Sequence, residues 1–175
     1  MNHTNGQGPP WSHASEVAVL GAVLVNEAAL AEAARALAPD DFFRAAHRKI
    51  YEAALELWRG GKPVDPLLVA DHLGPDAGEV GGLEYIADVI DAAPTSYIAG
   101  HVRVVAEKAT LRRAIRAAEQ TAADATEGVK SAEEVLADAH ARLIAARRER
   151  GKGYTPAGAD VIDVMAEIEE ELATG

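Results

Sequence analysis

The sequence predicts an all-α protein: a globular head of about five short helices, then a long antiparallel helical hairpin and a linker helix. Three observations carry this. Apolar residues recur at helical spacing, and no window shows strict period-2 alternation. Proline and glycine fall at helix-length intervals, at Pro39, Gly60-Gly61, Gly74 and Pro94. Beyond Tyr97 two long apolar rows repeat in coiled-coil rhythm.

Residues 1–11 read as a disordered arm and 12–95 as the head. Val17, Leu20, Gly21 and Leu24 follow helical spacing. A second helix is expected over Glu27 to Leu37, stopping before Pro39. A third runs from about Arg44 to Trp58 and ends at Gly60-Gly61. Asp65-Pro66 opens a short fourth helix: a carboxylate N-cap, then proline where its missing N–H costs nothing. That helix ends at Gly74. A fifth covers about Leu83 to Ala92.

Residues 96–150 form the expected hairpin. The first arm runs to about Thr126, with a turn at Gly128 and a Ser131/Glu134 capping box opening the second. Glu133, Glu134 and Asp138 near its start, and Arg147, Arg148 and Arg150 at its end, complement the helix dipole. Val104, Leu111, Ile115, Ala118, Ala122 and Ala125 make one row. Ala132, Leu136, Ala139, Leu143 and Ala146 make the other. Their small side chains allow close helix approach. Two readings fit: a hairpin that closes on itself, or an element that pairs with the same hairpin of another chain.

Residues 151–175 read as a linker, marked by Gly151, Gly153, Pro156 and Gly158, and an amphipathic helix. Val161, Val164, Met165, Ile168 and Leu172 form its apolar stripe. Asp160, Asp163, Glu167, Glu169, Glu170 and Glu171 form its acidic face. The stripe needs a partner surface or remains a frayed remnant.

The 175 residues suffice for one domain with an appendage, and 49% hydrophobic with 26% charged residues is a globular composition. The chain has no cysteine, which excludes disulfides, thiol nucleophiles and thiolate metal sites. No apolar run reaches membrane-span length, and the first ten residues lack a secretory apolar core. A cytoplasmic protein without a membrane partner is expected. The net charge of −11 opposes strong DNA binding, which needs Lys and Arg against phosphates.

No catalytic residue, cofactor site or metal site is expected. The six histidines show no metal-binding helix pair. His47, near Phe43 and Ile50, reads as a structural histidine. Gly151-Lys152-Gly153 fails the phosphate-loop pattern: Gly153 follows the lysine, and Ala146 stands where the first glycine belongs. Tyr85 reads either as a half-buried tyrosine or as an exposed partner anchor.

Several motifs in order carry a resemblance. They are Ser15-Glu16-Val17-Ala18-Val19-Leu20-Gly21, Pro39-Asp40-Asp41-Phe42-Phe43 and His47-Arg48-Lys49-Ile50-Tyr51. Gly61-Lys62-Pro63-Val64-Asp65, Gly81-Gly82-Leu83-Glu84-Tyr85 and Val104-Val105-Ala106-Glu107-Lys108 with Leu111-Arg112-Arg113 follow. Over about residues 12–148 the chain resembles the N-terminal domain of DnaB-type replicative DNA helicases. It departs at Ser15-Glu16-Val17, where the family has Ala-Glu-Gln, and at His101-Val102, where it has Tyr-Ala.

The resemblance implies a non-catalytic collar of a hexameric helicase, built as a trimer of dimers, that recruits primase in DNA replication. It implies an oligomer interface at Val104, Leu111, Ile115, Ala118, Leu136 and Leu143. It implies primase contacts at Tyr85, Arg112 and Arg116. Val161, Met165, Ile168 and Leu172 would dock on the ATPase domain of a neighbouring subunit, with ATP and Mg confined to that domain, which is absent from this chain. The rival readings are a stand-alone phage- or plasmid-type protein that modulates a helicase, and an unrelated dimeric helical regulator.

Overall fold

The computed structural model describes residues 8–93 and 98–148. Among them are seven α-helices and no strand, as the all-α expectation requires. In chain order they are α1 (His13–Val23), α2 (Glu27–Ala36), α3 (Ala45–Arg59), α4 (Pro66–Leu73), α5 (Gly82–Asp91), α6 (Ile98–Glu127) and α7 (Ala132–Arg148). Two short 3₁₀ turns, Pro39–Asp41 and Gly74–Gly78, had no counterpart in the sequence reading.

Helix starts follow local chemistry. The Ser12 hydroxyl accepts from the Ser15 amide at 3.3 Å. The Asn26 side chain accepts from the amides of Ala28 and Ala29 at 2.9 and 3.2 Å. Asp65 accepts from Leu67 and Leu68, both at 2.9 Å, with Pro66 beginning α4. Each satisfies amides that the first turn leaves without a helical partner.

α1 is the central element, packed against α2, α3, α5 and α6. Its residues from Ser15 to Gly21, and Val23, are buried. A helix buried all round shows no amphipathic face, which is why its apolar run is nearly continuous. At Gly21 an added Cβ would lie 2.7 Å from the Val89 carbonyl oxygen and would overlap the Ala93 side chain. Glycine therefore sets how closely α1 approaches α5.

The head's core includes Leu20, Leu24, Leu30, Phe42, Ile50, Tyr51, Leu55 and Ile86. Phe42 and Tyr51 pack with ring centroids 4.8 Å apart. Burial drives the Tyr51 phenol well above its ordinary pKa; its hydroxyl donates to the Leu37 carbonyl at 3.4 Å. Val102, Val105 and Ala106 of α6 belong to the same core. The 30-residue α6, about 45 Å long at 1.5 Å per residue, thus serves both head and hairpin.

The hairpin turns at Gly128, whose φ of 67° lies in the left-handed region that glycine enters without strain. The expected capping box is present: the Ser131 hydroxyl accepts from the Glu134 amide at 3.3 Å, and Glu134 accepts from the Ser131 amide at 2.8 Å.

Candidate functional site

Of the apolar repeat only Ala146 is buried in the seam between α6 and α7; the other buried seam residues lie off the repeat. Ala109, Ala117 and Asp124 of α6 are buried, as are Val135 and Ala146 of α7. Asp124 is the polar centre. It accepts from Gln120 at 2.9 Å, Lys130 at 3.2 Å and Arg142 at 2.6 Å. Hydrogen bonds from Gln120 and Arg142 hold its carboxyl down at about 2, with Lys130 adding to them. Lys130 also donates to Asp138 at 2.7 Å, and Arg113 Nε donates to the Ala146 carbonyl at 3.3 Å.

The repeat instead lies largely outside. Leu111 is 43% exposed, Ile115 44%, Leu136 70% and Leu143 49%. Ala118 is exposed too, while Val104 is half-buried. Leu111 and Ile115 stand two residues from Arg113 and Ala117, about 160° around the helix at 100° per residue. Of the two readings of these rows, the one in which they close the hairpin on itself is not the packing found. A heptad marks an apolar face but not the surface that covers it; here small residues and buried ion pairs close the hairpin. Among the described residues, Leu111, Ile115, Leu136 and Leu143 of these rows remain exposed.

The head's polar centre joins three helices. Glu16 of α1 is buried, and it accepts from the Phe43 amide at 2.7 Å. Its other oxygen lies 2.7 Å from His47 Nδ1, and His47 Nε2 lies 2.7 Å from the Tyr85 hydroxyl. Arg44 Nη1 donates to that hydroxyl at 2.9 Å. With the proton on Nδ1, every group is satisfied: His47 donates to Glu16, and Tyr85 donates to His47 while accepting from Arg44. This carboxylate–imidazole–phenol chain resembles a proton relay in outline. Its end is occupied by Arg44, and it fastens α1, α3 and α5 together.

The structural reading of His47 is thus the one its surroundings favour. Tyr85 is half-buried, with its hydroxyl committed to this network. Arg112, expected at a partner surface, is instead buried: its guanidinium donates to the carbonyls of Pro10 (2.9 Å) and Asp41 and lies 5.6 Å from the Phe43 ring centroid. Burial pulls its pKa down, opposed by Glu16 and Asp41. Arg113 pairs with Asp41 at 2.6 Å, and the Asp41 carboxylate also accepts from the Ala38 amide at 2.9 Å. Arg112 and Arg113 therefore clamp the 3₁₀ turn onto α6. Arg116 is exposed. Val161, Met165, Ile168 and Leu172 lie outside the described residues.

Sequence reasoning missed Glu16, Asp41 and Asp124 as anchors. One signal was available: Glu16 is a carboxylate beside an apolar run, Val17 to Leu20, in a helix with no polar face. Among the described residues no group of three or more His, Asp or Glu is placed to hold a metal ion, and no helix is long and apolar enough to cross a membrane.

Comparison with known proteins gives a consistent set of matches. Residues 8–107 match the family model described as the DnaB-like helicase N terminal domain. The replicative DNA helicase DnaC of Bacillus subtilis is 34% identical over 171 residues, which is 96% of this chain and 37% of that protein. The chain thus spans little more than a third of that relative. The crystal structure of the N-terminal domain of DnaB helicase from Mycobacterium tuberculosis superposes with a TM-score of 0.74 at 33% identity, covering 79% of this chain and 99% of that one. A DnaB-like replicative helicase whose structure was described with its interactions with primase gives a TM-score of 0.66 at 26% identity, over 90% of this chain and 35% of that one.

Proposed function

The chain belongs to the DnaB-like helicase N-terminal domain family, and from that membership we propose that it acts as the non-catalytic collar of a replicative DNA helicase. In this reading it assembles subunits through its hairpin and offers its head to primase. ATP hydrolysis and strand separation belong to the rest of the parent protein, in a separate ATPase domain. The hexamer, as a trimer of dimers, is part of the same proposal.

One observation carries the reading. The hairpin exposes Leu111, Ile115, Leu136 and Leu143 although its own seam is already closed by Ala117, Val135, Ala146 and the Asp124 network. Scattered apolar residues on a surface mean little. Rows of them along two packed helices favour a partner helix pair. A second hairpin presents the same rows, and a two-fold arrangement makes such a surface self-complementary.

The proposed primase contact is narrower than the resemblance implies. Arg116 and the accessible edge of Tyr85 can meet a partner. Arg112 supports the surface from beneath by holding Asp41 and Pro10. The relative described with primase supports a partner of that kind. The −11 charge argues against DNA as a partner of this piece.

Sedimentation equilibrium of the chain and of Leu111→Asp with Ile115→Asp tests the proposal. Both side chains are exposed, so the variant should fold with an unchanged far-UV helical signal, and its melting point should fall only by the stability that association contributes. The parent should sediment as a dimer or larger and the variant as a monomer. An unchanged oligomer in the variant would place the interface elsewhere.

A further inference from the structure

We propose that a cavity between α1, α5 and the start of α6 is a docking site for a basic amphipathic helix of another protein. The cavity holds about 400 Å³. Ala14 and Val17 of α1 and Val89 and Ala92 of α5 give it an apolar lining, and the exposed carboxylate of Asp88 borders it. Among the described residues no lysine or arginine lines it. Arg44 is close by, but its guanidinium donates to the Tyr85 hydroxyl at 2.9 Å and lies over the Tyr85 ring. The two imidazoles of the lining have contacts of their own: His13 stacks on His47 at 5.7 Å, and His101 Nδ1 lies 3.4 Å from the Ser15 hydroxyl.

The exposed face of α5 beside the cavity is acidic. Glu84, Asp88 and Asp91 are all exposed and stand at steps of four and three, so they share one face over about 10.5 Å of helix. Among the described residues none of the three has an ion-pair partner. Like charges at these spacings repel along a helix. Glu84 suits the first turn of α5, but Asp91 is its last residue, where the helix dipole presents its negative end. Asp88 and Asp91 are thus charges that the fold itself disfavours, and a cationic partner would remove their repulsion.

The apolar cavity and the acidic row together select one kind of occupant. A helix that presents a large apolar side chain, with Lys or Arg one turn to either side, places the apolar group in the cavity and its cations against Glu84, Asp88 and Asp91. This is recognition of an amphipathic helix by a groove. The net charge of −11 also steers a cationic segment toward the chain.

The inference does not rest on the collar reading. It uses no residue of the hairpin's outward row, and it shares only Tyr85 with the proposed primase contact. Hairpin pairing and helix docking therefore succeed or fail separately.

The probe is a fluorescent peptide of about 20 residues, long enough to form a helix in water. It carries leucines along one face, lysines on both flanks and a photo-crosslinker in place of its central leucine. The full chain should bind it saturably by fluorescence anisotropy, with cross-links mapped to α1 and α5, and should not bind a scrambled peptide of the same composition. Glu84→Gln with Asp88→Asn and Asp91→Asn should weaken binding about tenfold, as expected for the loss of three exposed charge pairs. Glu119→Gln with Glu127→Gln and Glu133→Gln, three exposed carboxylates of the hairpin, should leave it unchanged. Lysines at positions 84, 88 and 91 should transfer the preference to a peptide with glutamate in place of lysine. Ala14→Trp, at an exposed position of the lining, should block the cavity and abolish binding. No binding by the parent chain, equal binding of the scrambled peptide, or equal weakening by the hairpin variant would overturn the proposal. A change of sedimentation with Ala14→Trp would also overturn it, by assigning the cavity to a second copy of the chain.

Discussion

Replacing Glu16 probes the head's construction most sharply. In the folded chain its carboxylate accepts from the Phe43 amide and from His47 Nδ1, both at 2.7 Å, in a buried site. Glu16→Ala leaves both donors without an acceptor. An unsatisfied buried donor costs about 1–3 kcal/mol, so the pair predicts a loss of about 2–6 kcal/mol. Domains of this size have about 5–15 kcal/mol in total.

Glu16→Gln is the finer test, because removing a buried charge also removes its desolvation penalty and could stabilise. The amide keeps one oxygen for Phe43 but turns an NH₂ toward His47. His47 must then move its proton to Nε2, and Tyr85, already accepting from Arg44, loses the acceptor for its own proton. A cost of about 1–2 kcal/mol is expected. Urea unfolding at unchanged m-value measures both variants, and the ¹⁵N shifts of the His47 ring report the tautomer. A Glu16→Ala loss below about 0.5 kcal/mol, or a Glu16→Gln chain at least as stable as its parent with no tautomer change, would refute the reasoning.

Other consequences are equally direct. Gly21→Ala should cost about 1–3 kcal/mol by forcing α1 from α5, read from urea melts; a neutral outcome would mean that the helices separate freely. The Asp124 carboxyl is held at about 2 against an ordinary value of 3.8. Because this value is depressed on folding, its contribution is complete above the ordinary value and is lost as pH falls from there through about 2. Hydrogen exchange over α7 should accelerate in that window, and Asp124→Asn should remove the dependence; flat protection down to pH 2 would contradict it. Binding to single-stranded DNA at physiological salt should be no tighter than the micromolar range of non-specific contacts, measured by fluorescence anisotropy.

Much of the fold is legible because its signals are local. Asp65-Pro66, Ser131 with Glu134, and Gly128 act through their own backbone neighbourhoods, and the structure holds them in those roles. Boundaries shift by a residue for the same reason: Leu37 caps α2 in an extended conformation instead of continuing it toward Pro39. The tertiary polar anchors were not legible. Asp41 and Arg112 sit 71 residues apart in sequence, and their bond exists only once α6 lies across the 3₁₀ turn. Arg112 looks like surface charge by composition, yet two carbonyls and the Phe43 ring make it interior. The hairpin shows the limit most plainly. Periodicity identified Leu111, Ile115, Leu136 and Leu143 as one apolar set, but the inner seam is made mostly of alanines around Asp124, with Val135 its one larger apolar residue, and that mixture carries no strong hydrophobic signal.

The collar reading stands or falls on the outward row of the hairpin. Ala118 is an exposed member of that row, and Lys62 is an exposed residue of the head. Single cysteines at these two positions, treated with a short bismaleimide, measure whether the rows of two chains face each other. Ala118→Cys should be captured almost completely as a covalent dimer at concentrations where Lys62→Cys stays monomeric, and Leu111→Asp with Ile115→Asp should abolish the capture. Equal capture at both positions, or capture at Lys62 alone, would contradict pairing through the hairpin.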